Sequence, residues 1–297
     1  MKFIVNIALI LSFVFAAQTD PTATLTYASA QRETATTEAD RELFCPKEKD
    51  GEVAGAVKQN DLETTDEHGC TAIMRAAENG EVDTVRKLLA DGAHVDAKLP
   101  SGETALILAA KEGHLDVVKL LVEHGANVNA TVNGPHTGLA TVLTYGIRSR
   151  NKQVIESLID AGADLNPAQF VGRPPLAFAI YFTHDPGIVK LLLDRGAEVN
   201  LRNYFGATAL MDAAVEENVE LLKLLLAMKA DVNQRSNEGM TALMLAASSG
   251  SAAAVAALIA AGAEVNARNN AGESALSLAR KNKRDATVVL LTRAGAR

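Results

Sequence analysis

Six histidines, two cysteines and 36 acidic side chains are the residues of this 297-residue chain with the chemistry for acid–base or metal work. Their spacing assembles no site. No Gly-x-Ser-x-Gly, Cys-x-x-Cys, His-Glu-x-x-His, P-loop or dinucleotide loop is present. The histidines at 68, 94, 114, 124, 136 and 184 are scattered, and no two share a helix face at metal-ligand spacing. The expectation is therefore no catalytic residue, no metal and no cofactor. Cys45 and Cys70 are too few for a cysteine zinc site. In an oxidising compartment they either bridge or stand as two separate thiols.

The residues that carry binding chemistry are aromatic. Rings make up 4% of the chain, with no Trp. Phe170, Tyr181, Phe182, Tyr204 and Phe205 nevertheless fall in one short stretch of sequence, with Val171 beside them. Exposed rings are costly unless something covers them, and such clusters are the usual composition of a binding hot spot. Two alternatives bear on this group. In one, Phe170 and Tyr204 pack on each other between tips and stiffen the hairpins; in the other, Phe178 occupies a core-facing helical position.

The elements that must position these rings repeat with a period of 33 residues. Gly92-Ala93-His94-Val95-Asp96, Gly125-Ala126-Asn127-Val128-Asn129 and Gly162-Ala163-Asp164-Leu165-Asn166 form one phrase. It returns at Gly196, Lys229 and Gly262, and the chain ends on Gly295-Ala296-Arg297. A second phrase keeps phase with it, as in Thr104-Ala105-Leu106 and Thr241-Ala242-Leu243. Thr104 is placed to cap a first helix, and the small Ala109-Ala110 pair lets helices approach closely. Gly113-His114 breaks the chain before a second helix striped by Val117, Val118, Leu120 and Leu121. Gly125 supplies the positive φ that ends it, and Val128-Asn129 leads into a hairpin crossing to the next unit.

These phrases resemble the ankyrin repeat, over residues 66–297. The resemblance implies an all-α ankyrin-repeat solenoid of about seven units: 66–98, 99–131, 132–168, 169–202, 203–235, 236–268 and 269–297. Residues 38–65, with Asp61-Leu62-Glu63 in the Asp-Val-Asn slot, read as a degenerate N-terminal cap. Arg280, Lys281, Lys283, Arg284 and Arg293 give the last unit the polar surface of a C-terminal cap.

In such a stack the shared residues hold the frame and the departures carry function. The resemblance implies that partners bind the hairpin tips and the concave face of the first helices. By that reading the partner-binding residues are Phe170, Val171, Tyr181, Phe182, Tyr204, Phe205, His136, Arg148 and His184. Two length changes flank the rings. Residues 130–140 form a hairpin four residues longer than that of repeat 2, beside Arg148 and Arg150. Repeat 4 carries one extra residue in its inter-helix turn at 183–187.

Residues 1–16, with Lys2 followed by an apolar run to Phe15, read as a secretory signal peptide cut after Ala16. That run of about 13 residues is shorter than the roughly 20 needed to span a bilayer, which favours a cleaved signal over the alternative of an uncleaved membrane anchor. Residues 17–37 are rich in Thr and Ala and read as a flexible linker. The net charge of −7 argues against nucleic acid. The reading is a periplasmic protein-binding module, monomeric when free. It is similar to envelope ankyrins that act as inhibitors or self-protection proteins by capping a secreted peptidoglycan endopeptidase. The alternatives are a secreted effector binding a host protein and a stress-support factor for a catalase-type enzyme.

Overall fold

Two helices and a hairpin recur because each unit carries one apolar stripe per helix and a positive-φ break between them. The computed structural model describes residues 62–66, 68–134, 138–167 and 173–297, all within the compact unit Cys45–Arg297. The first helices are α1 (Ala72–Asn79), α3 (Ala105–Glu112), α5 (Val142–Arg148), α7 (Pro175–Thr183), α9 (Ala209–Val215), α11 (Ala242–Ser249) and α13 (Ala275–Lys281). The second helices are α2 (Val82–Ala90), α4 (Leu115–Glu123), α6 (Lys152–Asp160), α8 (Pro186–Asp194), α10 (Val219–Ala227), α12 (Ala252–Ala260) and α14 (Asp285–Arg293). First helices pack on first helices and second on second, unit after unit. No described helix is long and apolar enough to cross a membrane. Residues 1–16 and 17–37, read as a signal peptide and a linker, and nearly all of the cap expected over 38–65, including Cys45, lie outside the described residues.

Hydroxyl caps start five of the seven described first helices. The hydroxyls of Thr104, Thr208 and Thr241 each accept from the backbone N–H three residues on. Thr141 and Ser274 close full capping boxes. The alanine pairs behind them are wholly buried. Repeat 3 substitutes Gly146-Ile147, because a Cβ on Gly146 would meet Leu158 at 2.8 Å.

Side-chain amides bind each unit to the next. Asn129, Asn166, Asn233 and Asn266 each accept from a backbone N–H one repeat on, at 2.7–2.9 Å. Each also donates to the glycine carbonyl that ends the following second helix. Glu63 accepts from the His94 N–H at 2.8 Å, in the place where Asp96 accepts from Asn127. At about 1 kcal/mol per bond, this ladder sets register more than it drives collapse.

Longer connections are handled in two ways. The enlarged hairpin forms β1 (Thr131–Gly134) and β2 (Gly138–Thr141), paired antiparallel. The extra residue of repeat 4 does not enlarge its turn as expected. It lengthens α7 to nine residues against seven or eight in the other first helices. Asp185 then restarts the chain by accepting from the N–H groups of Gly187 and Ile188.

Candidate protein-binding site

The hairpin tip of repeat 5 is a tight turn built on Asn203. The Asn203 side chain accepts from the N–H groups of Phe205 and Ala207, both at 2.9 Å. The tip is also held from the next repeat. Asn237 donates through its amide to the Tyr204 carbonyl at 2.9 Å, and its backbone N–H reaches the Phe205 carbonyl at 3.0 Å. Arg202 donates to Gly206 and to the Arg235 carbonyl, and Arg235 donates to the Arg268 carbonyl. This frame projects Tyr204 and Phe205 outward, 66% and 41% exposed. The two rings meet edge to face with centroids 5.5 Å apart. A rigid backbone under two exposed rings lowers the entropy lost when a partner covers them.

The second group of rings sits on α7. Tyr181 and Phe182 are half-buried rather than fully exposed. The Arg173 guanidinium lies 3.9 Å over the Tyr181 ring, and Arg148 lies 5.5 Å over Phe182. Each ring thus has an intramolecular cation on its face, which removes part of the cost of leaving it near water. Phe178 is not in the core as expected. It is half-buried and stacks on Phe182 with centroids 5.4 Å apart and planes 6° from parallel. Residues one turn apart on a helix share a face, and a stripe rule cannot separate the core edge from the solvent edge of that face. Among the described residues the ring pairs lie within the tip and within α7, and Phe170, expected in the same patch, lies outside them.

Charged groups fill the spaces between the rings. Arg173 reaches Asp212 of α9 at 3.5 Å. Burial pushes the Asp212 carboxyl above its ordinary value, against the pull of Arg173, and Glu216 one turn on pushes in the same direction as burial. Glu216, 10% exposed, faces His184 at 3.4 Å, and His184 is 45% exposed. Lys111 is held below the usual lysine value first by burial, against Glu112 and Glu78. Arg148 and Arg150 do not lie beside the enlarged hairpin. The whole of α5 separates them from β2, and they stand at the inter-helix turn, where Arg150 donates to the Phe182 carbonyl at 3.2 Å.

The inter-helix turns differ in a way that sequence inspection missed. In repeats 1, 2 and 6 the left-handed position is glycine: Gly80, Gly113 and Gly250. In repeats 3, 4, 5 and 7 it is Arg150, His184, Glu217 and Lys283, with φ of 59°, 54°, 55° and 57°. A left-handed L-residue costs about 1–2 kcal/mol. The signal was legible as the loss of glycine at one phase of the repeat in four of the seven units.

Of the remaining expected residues, Phe170, Val171 and His136 lie outside the described residues. Cys70 is buried and disulfide-bonded, and its expected partner Cys45 also lies outside them. His114 is structural, its Nε2 set 2.9 Å from the Glu78 carbonyl. In the C-terminal unit Lys281 pairs with Glu273 at 3.1 Å and Arg284 donates to the Ser248 carbonyl. Among the described residues no three His, Cys, Asp or Glu are grouped to hold a metal ion.

A family model described as ankyrin repeats (3 copies) matches residues 44–132, 87–169, 176–269 and 210–297. Two ankyrin repeat proteins of fowlpox virus (strain NVSL) are each 35% identical, over 63 and 78 residues. Those matches cover 21% and 26% of this chain but only 12% and 18% of the viral proteins. The crystal structure of the human ASB11 ankyrin repeat domain superposes with a TM-score of 0.64 at 25% identity, covering 75% of this chain and 98% of that domain. Family match, helix pairing and repeat phase agree: the chain belongs to the ankyrin repeat family, a family of protein-binding repeat modules.

Proposed function

We propose that this chain is an exported protein-binding module that acts as an inhibitor or self-protection protein, capping a secreted peptidoglycan hydrolase of the endopeptidase class in the periplasm. The observation that carries the binding part of this reading is the tip of repeat 5. Tyr204 and Phe205 stand exposed on a backbone pinned by Asn203 and Asn237. A projecting, rigid, ring-bearing tip suits insertion into an enzyme cleft, because it brings apolar area without an ordering penalty. The export part rests on residues 1–16. A bridge between Cys45 and Cys70, formed after export, belongs to the same proposal, since disulfides persist in oxidising compartments.

The test is capture followed by inhibition. The chain from Ala17 onward, and a Tyr204→Ser/Phe205→Ser variant, are immobilised and exposed to an envelope extract of the source organism. Native bait should retain a peptidoglycan hydrolase that the variant loses, and stoichiometric native protein should suppress that enzyme's activity. Equal capture by both baits removes the tip from the site. Capture of a host protein instead transfers the reading to a secreted effector. Amino-terminal sequencing of the exported form should begin at Ala17, and an intact Met1 in the envelope fraction overturns export with cleavage.

A further inference from the structure

We propose that the inter-helix turn edge of repeats 3 and 4, formed by Arg150 and His184 beside the α7 rings, receives an acidic segment of the protein partner that carries aromatic side chains. This rests on the protein-binding reading above and names the chemistry that the partner brings.

Backbone conformation is the first observation. Arg150 and His184 occupy left-handed positions that repeats 1, 2 and 6 give to glycine. The frame does not require a side chain there, because those three repeats stack without one. At Gly80 and Gly250 a Cβ would collide with His114 and Arg284 of the following repeat. At Gly113 a Cβ would meet nothing nearer than 3.5 Å, and repeats 3 and 4 place a cation and an imidazole at this position. Residues held in a costly conformation gather at functional sites; the feature recurs at Glu217 and Lys283, but only repeats 3 and 4 combine it with basic or imidazole side chains beside the α7 rings.

Which charges reach solvent is the second observation. Two carboxylates on this face are covered: Asp212 is 14% exposed under Arg173, and Glu216 is more covered than the His184 that faces it, while Glu217 at the margin is exposed. Arg150 is exposed, and its guanidinium reaches across to the Phe182 carbonyl. Lys111, with Glu112 and Glu78 against it, lies next to Arg148 on the same side. Lys152 and Asp185 offset each other at 3.6 Å. Glu217 takes the equivalent place in repeat 5 and bounds the edge. The edge therefore shows cationic ends and ring faces on a chain whose net charge is −7. A carboxylate entering it meets donors from Arg150 and His184, and an accompanying ring stacks on the guanidinium and aromatic planes of the α7 group.

The probe is a short fluorescein-labelled Glu–Tyr peptide, with a Lys–Tyr peptide of equal length as control, titrated against the full chain. The Glu–Tyr peptide should bind at least about tenfold more tightly than the Lys–Tyr peptide, with affinity falling severalfold as salt is raised from about 50 to 300 mM. Arg150→Gly/His184→Gly should weaken Glu–Tyr binding about tenfold. Its thermal midpoint should stay within about 3 °C of the parent or rise, since glycine relieves the left-handed backbone. Equal binding of the two peptides, or unchanged Glu–Tyr binding by the glycine variant, overturns the proposal. So does a fall in midpoint of more than about 6 °C with peptide affinity intact, which assigns these side chains to inter-repeat strapping. The Tyr204→Ser/Phe205→Ser variant separates this from the reading on which it rests. Partner capture lost at the tip with no peptide preference at the turn edge leaves the binding module standing and removes only this inference.

Discussion

Repeats 6 and 4 place one backbone plan under different side chains. In repeat 6 the first helix starts at a capping threonine, buries the Ala246-Ala247 pair and stops at Gly250. In repeat 4 the cap is Pro174, the small pair is Ala179-Ile180, the helix runs one residue further, and it stops at His184. Repeat 6 leaves Ser248 and Ser249 where repeat 4 has Tyr181 and Phe182. Nothing in the stacking frame demands those rings, that extra residue or a left-handed histidine. The comparison separates what each unit must do to hold its neighbours from what two units do besides.

The strongest test of that separation is in the core. Leu243 of repeat 6 and Leu176 of repeat 4 fill the same slot and are both buried. Each leucine changed to alanine should cost about 3–5 kcal/mol in denaturant unfolding. A much smaller cost at Leu176 would show that repeat 4 has surrendered frame as well as face. Next comes the N-terminal unit. Reduction of the Cys70 disulfide should cost about 2–4 kcal/mol, read as a lower thermal midpoint in reductant. An unchanged midpoint would mean that the stack does not use the bridge.

A smaller effect, in binding rather than stability, is expected at the repeat 5 tip. Tyr204→Ala should weaken partner binding by about 2 kcal/mol, roughly thirtyfold, and shift stability by less than about 0.5 kcal/mol. Loss of folding would move Tyr204 from the face to the frame.

The smallest effect is pH dependence, where two aspartates should respond with opposite sign. Asp66 is pulled up by burial, but the N–H groups of Cys70 and His68 and the Arg75 side chain outweigh it and hold the carboxyl below 3.8. The unfolded chain therefore takes up that proton first, and the contribution of Asp66 is lost as pH falls through its lowered value. Asp212 lies above 3.8 through burial. There the folded state takes up the proton first, so its contribution grows as pH falls toward 3.8 from above. Asp66→Asn should flatten the acid-side loss of midpoint, and Asp212→Asn should remove the acid-side gain. Matching signs for the two variants would break the assignment.

Much of this was legible in the chain itself. The period, the capping threonines and the Gly-Ala-x-Val-Asn phrase placed every described helix pair, because helix starts, stops and apolar stripes are local properties. The asparagine ladder was visible as a recurring letter but not as a bond, since its partners stand a whole repeat away. The ring cluster was legible in composition but not in placement. Spacing alone put Phe178 in the core. It also set Arg148 beside a hairpin that α5 holds away from it.

By itself the sequence determined the repeat, the handover between units and the set of residues that depart from the shared pattern, for these follow from local backbone preference and a single apolar period. Tertiary structure alone decided which departures meet water. Whether Arg173 covers Tyr181, whether Glu216 hides behind His184 and whether Asn237 pins the tip under Tyr204 depend on side chains brought together across repeats, and nothing within a single unit specifies those distances.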